Sequence, residues 1–399
     1  MASVRPADQP VTVPPADERA LAQLAAEGFG DLFHERQHRA CALVERYALD
    51  LACTIARALD LPARLVTPQR PEALMTACGF VPAFAAPLRW LLDVLAMRGV
   101  LAVGPDGYRQ AAALPAVALD AVRAAGLAAD PSYEPAYALL DEAAALYPRV
   151  ARGEVVAERA LFLRARLWQA YFSNTNRYYA LSNRVVARAA SARLADAGGG
   201  AVLEVGAGLG SATEALFEAL AARGATALVE RYLLTEPVPF FRRRAEQALA
   251  ARWPEAPIVS GTLDLNGPWA EQGGVTAGAF ALVWGVNVFH LARDLDAVLA
   301  AARAALRPDG WLVVGEGLRP TPLEPVAAEL PFRLLASFAD VALDPERRPT
   351  PGFLTAAAWR AALERAGLAA VHFVPDAERL QAFCPVFLAA AACGRRRAT

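Results

Sequence analysis

Ala201-Val202-Leu203-Glu204-Val205-Gly206-Ala207-Gly208-Leu209-Gly210 reads as an apolar strand running straight into a glycine turn, with a helical pattern from Ser211. Glycines let a backbone turn tightly and approach a ligand, and the helix that follows presents free N–H groups at its first turn. A lone glycine pattern says little, but this one has the strand before it and the helix after it. The dinucleotide pattern G-x-G-x-x-G is not met. The glycines fall instead at 206, 208 and 210, with the carboxylate of Glu204 two residues ahead of the first.

Outward from this turn, short apolar runs alternate with amphipathic helices. Strands are expected near 201–205, 232–234, 258–259, 281–284 and 311–314, and helices near 213–223, 239–252 and 295–306. That alternation predicts βα units on a parallel sheet, a Rossmann-like doubly wound α/β fold. Two further strands are expected at 369–373 and 383–391. The second strand of the series ends at Thr235-Glu236, where an acidic side chain can bind both hydroxyls of a ribose.

Upstream the rhythm is different. Residues 20–61 repeat apolar positions every four residues, short helices follow at 72–78 and 83–98, and Gly104-Pro105-Asp106-Gly107 joins two small strands. Helices followed by a hairpin form a winged-helix-like pattern. The chain therefore divides into a loose tail at 1–18, a mostly helical winged-helix-like domain at 19–125, a helical connector or lid at 126–195 and the Rossmann-like domain at 196–394. The apolar run 90–97 suggests a homodimer joined through 20–125.

Composition limits the function. The chain has 399 residues, a hydrophobic fraction of 56% and a net charge of −1. That suits a packed protein of two domains and lacks the basic stripe of a nucleic-acid scaffold. Every basic residue other than histidine is arginine, which excludes a lysine Schiff base and a P-loop lysine. The five cysteines include no Cys-x-x-Cys pair, the start of the chain has no apolar signal segment, and no membrane span is expected. A cytoplasmic protein is the natural reading.

His290 and Glu316 stand out among the candidate reactive groups. Each follows an apolar strand at its C-terminal end, where ligands bind in a doubly wound sheet. Adjacent strands lie roughly 5 Å apart, so the two side chains can meet. A carboxylate on one imidazole nitrogen fixes the tautomer and leaves the other nitrogen as a base.

From about Leu139 to the C-terminus the chain resembles the methyltransferase domains embedded in polyketide synthases, a branch of the class I S-adenosylmethionine-dependent methyltransferases. The matching stretches are Arg152-Gly153-Glu154-Val155, the Leu203 to Gly210 turn, Thr235-Glu236, Leu263-Asp264-Leu265, Gln272-Gly273, Asn287-Val288-Phe289-His290, and Leu306-Arg307-Pro308-Asp309-Gly310 followed by Glu316. The N-terminal part, about 36–110, resembles the winged-helix dimerisation domain of small-molecule O-methyltransferases. The resemblance implies S-adenosyl-L-methionine as cofactor, with Glu204 near its methionine part, Glu236 on its ribose, and Asp264 and Leu265 at its adenine. It implies a catalytic pair of His290 and Glu316. The chain departs from the family at Leu209, where threonine is usual, at Glu236, where aspartate is usual, and at His290-Leu291-Ala292, where His-Ala-Thr is usual.

Other signals are weaker. Tyr178, Tyr179 and Asn287 can cradle the cofactor, since aromatic faces attract a sulfonium, or Tyr178 and Tyr179 can serve helix packing. Trp284 lines an acceptor site or is core. His34-Glu35-Arg36-Gln37-His38 matches H-E-x-x-H but lies in a polar segment without a third ligand, so a solvated helix face is expected and no metal. The arginine runs 242–244 and 395–397 read as solvated surface. The expected activity is C- or O-methylation of a small-molecule or carrier-tethered intermediate by a histidine base. The alternatives are a lyase or cyclase that displaces within the cofactor itself, an S-methyltransferase, and a DNA-binding regulator.

Overall fold

The structure is a computed structural model that describes residues 11–384 and 388–397. The chain forms two compact units. One comprises the described part of Met1–Asp17, His34–Tyr171 and Arg319–Asp340; the other comprises Glu18–Phe33, Phe172–Leu318 and the described part of Val341–Thr399. These units are not the four consecutive segments expected from sequence. Residues 1–10 of the expected tail lie outside the described residues, and a helix, Glu18–Ala26, begins at its end.

The first unit is helical. Its longest helix, Glu35–Ala58, starts at His34, whose Nδ1 accepts the Gln37 N–H at 3.2 Å. Leu43, Val44, Tyr47, Leu51 and Ile55 form its buried stripe. Pro71–Cys78 and Ala85–Met97 follow, and then the strands β1 (Leu101–Gly104) and β2 (Gly107–Gln110) pair antiparallel. This is the expected order of helices and hairpin. The apolar run read as a dimer face is spent inside this unit: Trp90, Leu91, Leu92, Val94 and Leu95 are buried, so the run carries no argument for a second copy. The segment Arg319–Asp340 was expected in the Rossmann-like domain. It belongs here because Trp90 Nε1 donates to the Val326 carbonyl at 3.3 Å and the Tyr147 hydroxyl to the Leu330 carbonyl at 2.8 Å. Its buried Glu329 accepts from Arg319 and from Arg333.

Among its described residues the second unit holds seven strands: β3 (Gly200–Val205), β4 (Val229–Thr235), β5 (Ile258–Gly261), β6 (Phe280–Val286), β7 (Leu306–Leu318), β8 (Leu368–Val374) and β9 (Leu388–Arg396). Their order is β5-β4-β3-β6-β7-β9-β8. The first five run parallel, and β9 is antiparallel to both β7 and β8. The chain winds one way from β3 to β5 and the other way from β6. The C-terminal ends of β3 and β6 therefore flank the switch point at which doubly wound sheets bind ligands. One face of the sheet, with Val202, Tyr232, Leu234, Leu282 and Trp284, packs in a core with the helices Arg177–Asp196 and Ser211–Ala221.

The last strand starts later than expected. Ala377–Phe383 is a helix capped by the Asp376 carboxylate, 385–387 lie outside the described residues, and β9 runs from Leu388. Trp284 is fully buried core, with its Nε1 donating to the Tyr232 hydroxyl at 3.1 Å, so it does not line an acceptor site.

Candidate active site

The glycine turn leaves β3 on three left-handed residues, Gly206 (φ +66°), Gly208 (+55°) and Gly210 (+81°). Each has its own reason for lacking a side chain. A Cβ at Gly206 would meet Val288 Cγ2 at 2.5 Å, and one at Gly210 would meet Ala245 and Leu249 at 3.1 Å. A Cβ at Gly208 would meet nothing within 4 Å. The open flank of the turn is thus at Gly208, where a left-handed backbone faces free space.

Glu236, just past the end of β4, ties the turn to its neighbour strand. Its Oε2 accepts the Gly208 N–H at 2.9 Å and its Oε1 the Val238 N–H at 2.8 Å. Burial raises its carboxyl above the usual range, against the pull of these two N–H groups and of Arg242. Arg242, expected as solvated surface, instead donates to the Glu236 carbonyl at 2.9 Å and to Thr262 Oγ1 at 2.8 Å.

Glu204 is almost completely buried. Its Oε2 accepts from the Thr213 hydroxyl at 2.5 Å and from the Tyr232 hydroxyl at 2.6 Å. Burial pushes its carboxyl up to about 7, although both hydroxyls oppose the rise. This carboxyl therefore pins the first turn of the helix Ser211–Ala221 to β3 and β4. The cofactor approach implied for Glu204 has this structural duty beside it. Asp264 is exposed, with Oδ1 accepting the Asn266 N–H at 2.9 Å, and Leu265 is buried next to it; both follow β5.

Beyond β6 the chain takes a left-handed step at Asn287 (φ +53°), whose N–H donates to the Gly315 carbonyl at 2.7 Å. Its Oδ1 is buried and has no hydrogen-bond partner. The short turn Phe289–Leu291 follows and delivers His290 to Glu316 of β7. His290 Nδ1 lies 2.7 Å from Glu316 Oε2. The other carboxylate oxygen accepts the N–H groups of Val288 at 3.0 Å and His290 at 3.1 Å. Both residues are buried. An ionised carboxylate only accepts, so Nδ1 donates to it, and in the neutral imidazole this leaves the lone pair on Nε2.

Tyr178 and Tyr179 sit in the first turn of Arg177–Asp196 and are half-buried. The ring of Tyr179 meets Phe172 edge-on at 5.0 Å. Burial raises its hydroxyl well above the ordinary value, and Glu204, Glu236 and Glu316 push the same way. The carboxylates of Glu204 in β3, Glu236 just past β4 and Glu316 in β7 thus all bear on one tyrosine.

Two residues near His290 had no signal in the sequence. Arg348 donates through Nη1 to the Ala292 carbonyl at 2.6 Å and through Nη2 to the His290 carbonyl. The ring of Phe353 lies 4.5 Å from the imidazole. The H-E-x-x-H stretch has other duties. His34 caps a helix, and His38 Nε2 lies 3.0 Å from the Pro14 carbonyl. No cluster of metal-ligating side chains occurs among the described residues.

Residues 203–312, from the glycine turn through β6 into β7, match a family model described as a methyltransferase domain. The chain is a class I S-adenosylmethionine-dependent methyltransferase. Among curated proteins it is 32% identical over 180 residues to a fumosorinone synthetase of Cordyceps fumosorosea, a match covering 44% of this chain and 4% of that one. It is 32% identical over 332 residues to polyketide synthase ThaG of Burkholderia thailandensis, covering 78% of this chain and 5% of that one. The methyltransferase thus spans only a small fraction of the length of these relatives. Its fold is similar to that of the CurJ carbon methyltransferase, with a TM-score of 0.77 at 20% identity over 96% of this chain and 100% of that one.

The methyltransferase uses S-adenosylmethionine, and its residues fit that cofactor. The flank at Gly208 has room for a ligand against the backbone, and the buried Asn287 Oδ1 lacks a donor. No helix among the described residues is long and apolar enough to cross a membrane.

Proposed function

We propose that this methyltransferase alkylates the α-carbon of a β-keto thioester, free or tethered to a carrier, in the cytoplasm. The observation that carries the reading is the 2.7 Å contact of His290 Nδ1 with Glu316 at the C-terminal ends of two neighbouring strands, beyond the glycine turn. The similarity to polyketide synthase ThaG supports the acceptor class.

When bound, S-adenosylmethionine supplies an electrophilic methyl group on its sulfonium sulfur. Gly206, Gly208, Gly210, Glu236, Asp264, Leu265, Asn287, Tyr178 and Tyr179 would hold it, with Glu204 bracing the turn beneath. The C–H bond between the two carbonyls of the acceptor breaks, its electron pair becomes the nucleophile, and the proton passes to His290 Nε2. Glu316 keeps the imidazole in the required tautomer and stabilises the imidazolium that forms. An intramolecular displacement, or attack by a thioether, has no use for such a base, so those alternatives gain no support from the pair.

The test is to incubate the protein with S-adenosylmethionine and the N-acetylcysteamine thioester of 3-oxobutanoate. The reading expects a product one methyl heavier, with the new carbon bonded to the α-carbon by NMR. Methylation at oxygen, or consumption of the cofactor without any acceptor, would refute it.

A further inference from the structure

Arg348 is buried, yet no carboxylate forms an ion pair with it among the described residues. Burial lowers its guanidinium to about 10, and among the described residues the charge set against that fall is Glu316. Its Nε is buried without a hydrogen-bond partner. Burying a charged group in this way is costly unless its hydrogen bonds are used. Both of its terminal nitrogens are used, on the carbonyls of His290 and Ala292, the residues on either side of Leu291.

The loop that carries it is built to hold this position. Asp344 and Arg348 exchange backbone hydrogen bonds at 3.0 and 2.8 Å, and the Asp344 carboxylate accepts the N–H groups of Glu346 and Arg347 at 2.9 Å each. The Ala342 N–H donates to the Arg293 carbonyl at 2.8 Å, and Leu354 bridges to Leu318 at the end of β7. Between these anchors, Phe353 closes over the imidazole. The His290 turn is therefore held from two sides: by Glu316 at Nδ1 and at two N–H groups, and by Arg348 at two carbonyls.

We propose that Arg348 is a positioning residue for His290, gripping the two carbonyls of the His290 turn so that Nδ1 stays on Glu316 and Nε2 keeps its aim at the acceptor. The planar fork of arginine suits two carbonyls; an ammonium can follow only one of them closely. The inference rests on the reading of His290 as the base, and its test is arranged to be separable from that reading.

Arg348→Met and Arg348→Lys are compared with the wild type. The first readout is the ring-nitrogen NMR spectrum of protein labelled at its four histidines, with His290→Ala assigning the signal. The second is turnover of the N-acetylcysteamine thioester of 3-oxobutanoate per folded molecule. In the wild type His290 shows a single tautomer with hydrogen on Nδ1. In Arg348→Met its two nitrogens move towards tautomeric averaging, and kcat falls about 10- to 100-fold with KM for the thioester changed less than about twofold, as expected of a misaligned base. Arg348→Lys falls between the two. Wild-type ring signals and wild-type turnover in Arg348→Met overturn the proposal. Should that variant not fold, the same wild-type behaviour in Arg348→Lys overturns it. If the wild type leaves the thioester unmethylated, the proposed function fails, and the ring nitrogens still decide the role of Arg348.

Discussion

One carboxylate serves His290 twice: Glu316 Oε2 meets the imidazole Nδ1 at 2.7 Å, while Oε1 accepts the backbone N–H of the same residue at 3.1 Å. Side chain and backbone of the histidine are thereby fixed to one group on the neighbouring strand. Glu316→Gln cannot reproduce this, because an amide cannot accept through both of its terminal atoms. The variant is expected to slow methyl transfer. The double variant with His290→Ala should be little worse than the worse single one, since residues acting as a unit are non-additive. Additive losses in single-turnover rates would show that the two residues act separately.

The glycines of the turn predict two different failures. Gly206→Ala drives a Cβ into Val288, whose N–H is bonded to Glu316, so stability should fall by about 1–3 kcal/mol. Gly208→Phe meets no protein atom near its Cβ; its left-handed φ of +55° costs about 1–2 kcal/mol, which a folded protein can bear, and the ring fills the open flank of the turn. Its affinity for S-adenosylhomocysteine should drop at least tenfold, about 1.4 kcal/mol or more. Calorimetry with unchanged affinity in folded Gly208→Phe would remove the cofactor from this flank.

Glu204 predicts a pH dependence of stability. Burial holds its carboxyl at about 7 instead of 4.5, so folding favours the protonated form. That contribution is complete below pH 4.5 and is lost as pH rises through 7. Glu204→Gln has no such loss. The stability of the variant relative to the wild type should therefore rise between pH 4.5 and pH 8, by about 3 kcal/mol. Glu236 is shifted the same way and is present in both proteins, so only its smaller coupling to Glu204 enters the difference. A difference that does not change with pH in denaturant titrations would contradict the buried, neutral Glu204.

Much of this arrangement was legible in the sequence because it is local. A strand running into glycines at 206, 208 and 210 needs no distant partner to be recognised, and the alternation that follows fixes a parallel sheet. His290 and Glu316 could be paired because one follows the apolar core of β6 and the other that of β7, and those two strands are neighbours whose C-terminal ends meet at one edge of the sheet. Contacts without a periodic signature stayed hidden. Arg347-Arg348-Pro349-Thr350-Pro351-Gly352 reads as an irregular loop, and nothing in it reveals that Arg348 reaches the carbonyl of His290. The Thr213 and Tyr232 hydroxyls on Glu204 join three separate elements and leave no local trace. The segment Arg319–Asp340 follows β7 directly, yet its buried Glu329, held by two arginines, sits in the helical unit. In the run 90–97, Trp90, Leu91, Leu92, Val94 and Leu95 are buried within their own unit while Met97 is exposed, a division that apolar composition alone does not reveal.

The proposed mechanism depends most on His290 as the base of a methyl transfer. Its most direct test is the single-turnover rate of His290→Ala with the N-acetylcysteamine thioester of 3-oxobutanoate at saturating S-adenosylmethionine, with S-adenosylhomocysteine affinity measured on the same sample. His290→Ala should bind with nearly unchanged affinity and react about 10²- to 10⁴-fold more slowly, the usual loss on removal of a general base. A near-normal rate in the folded variant would contradict it and would leave the His290–Glu316 pair as packing.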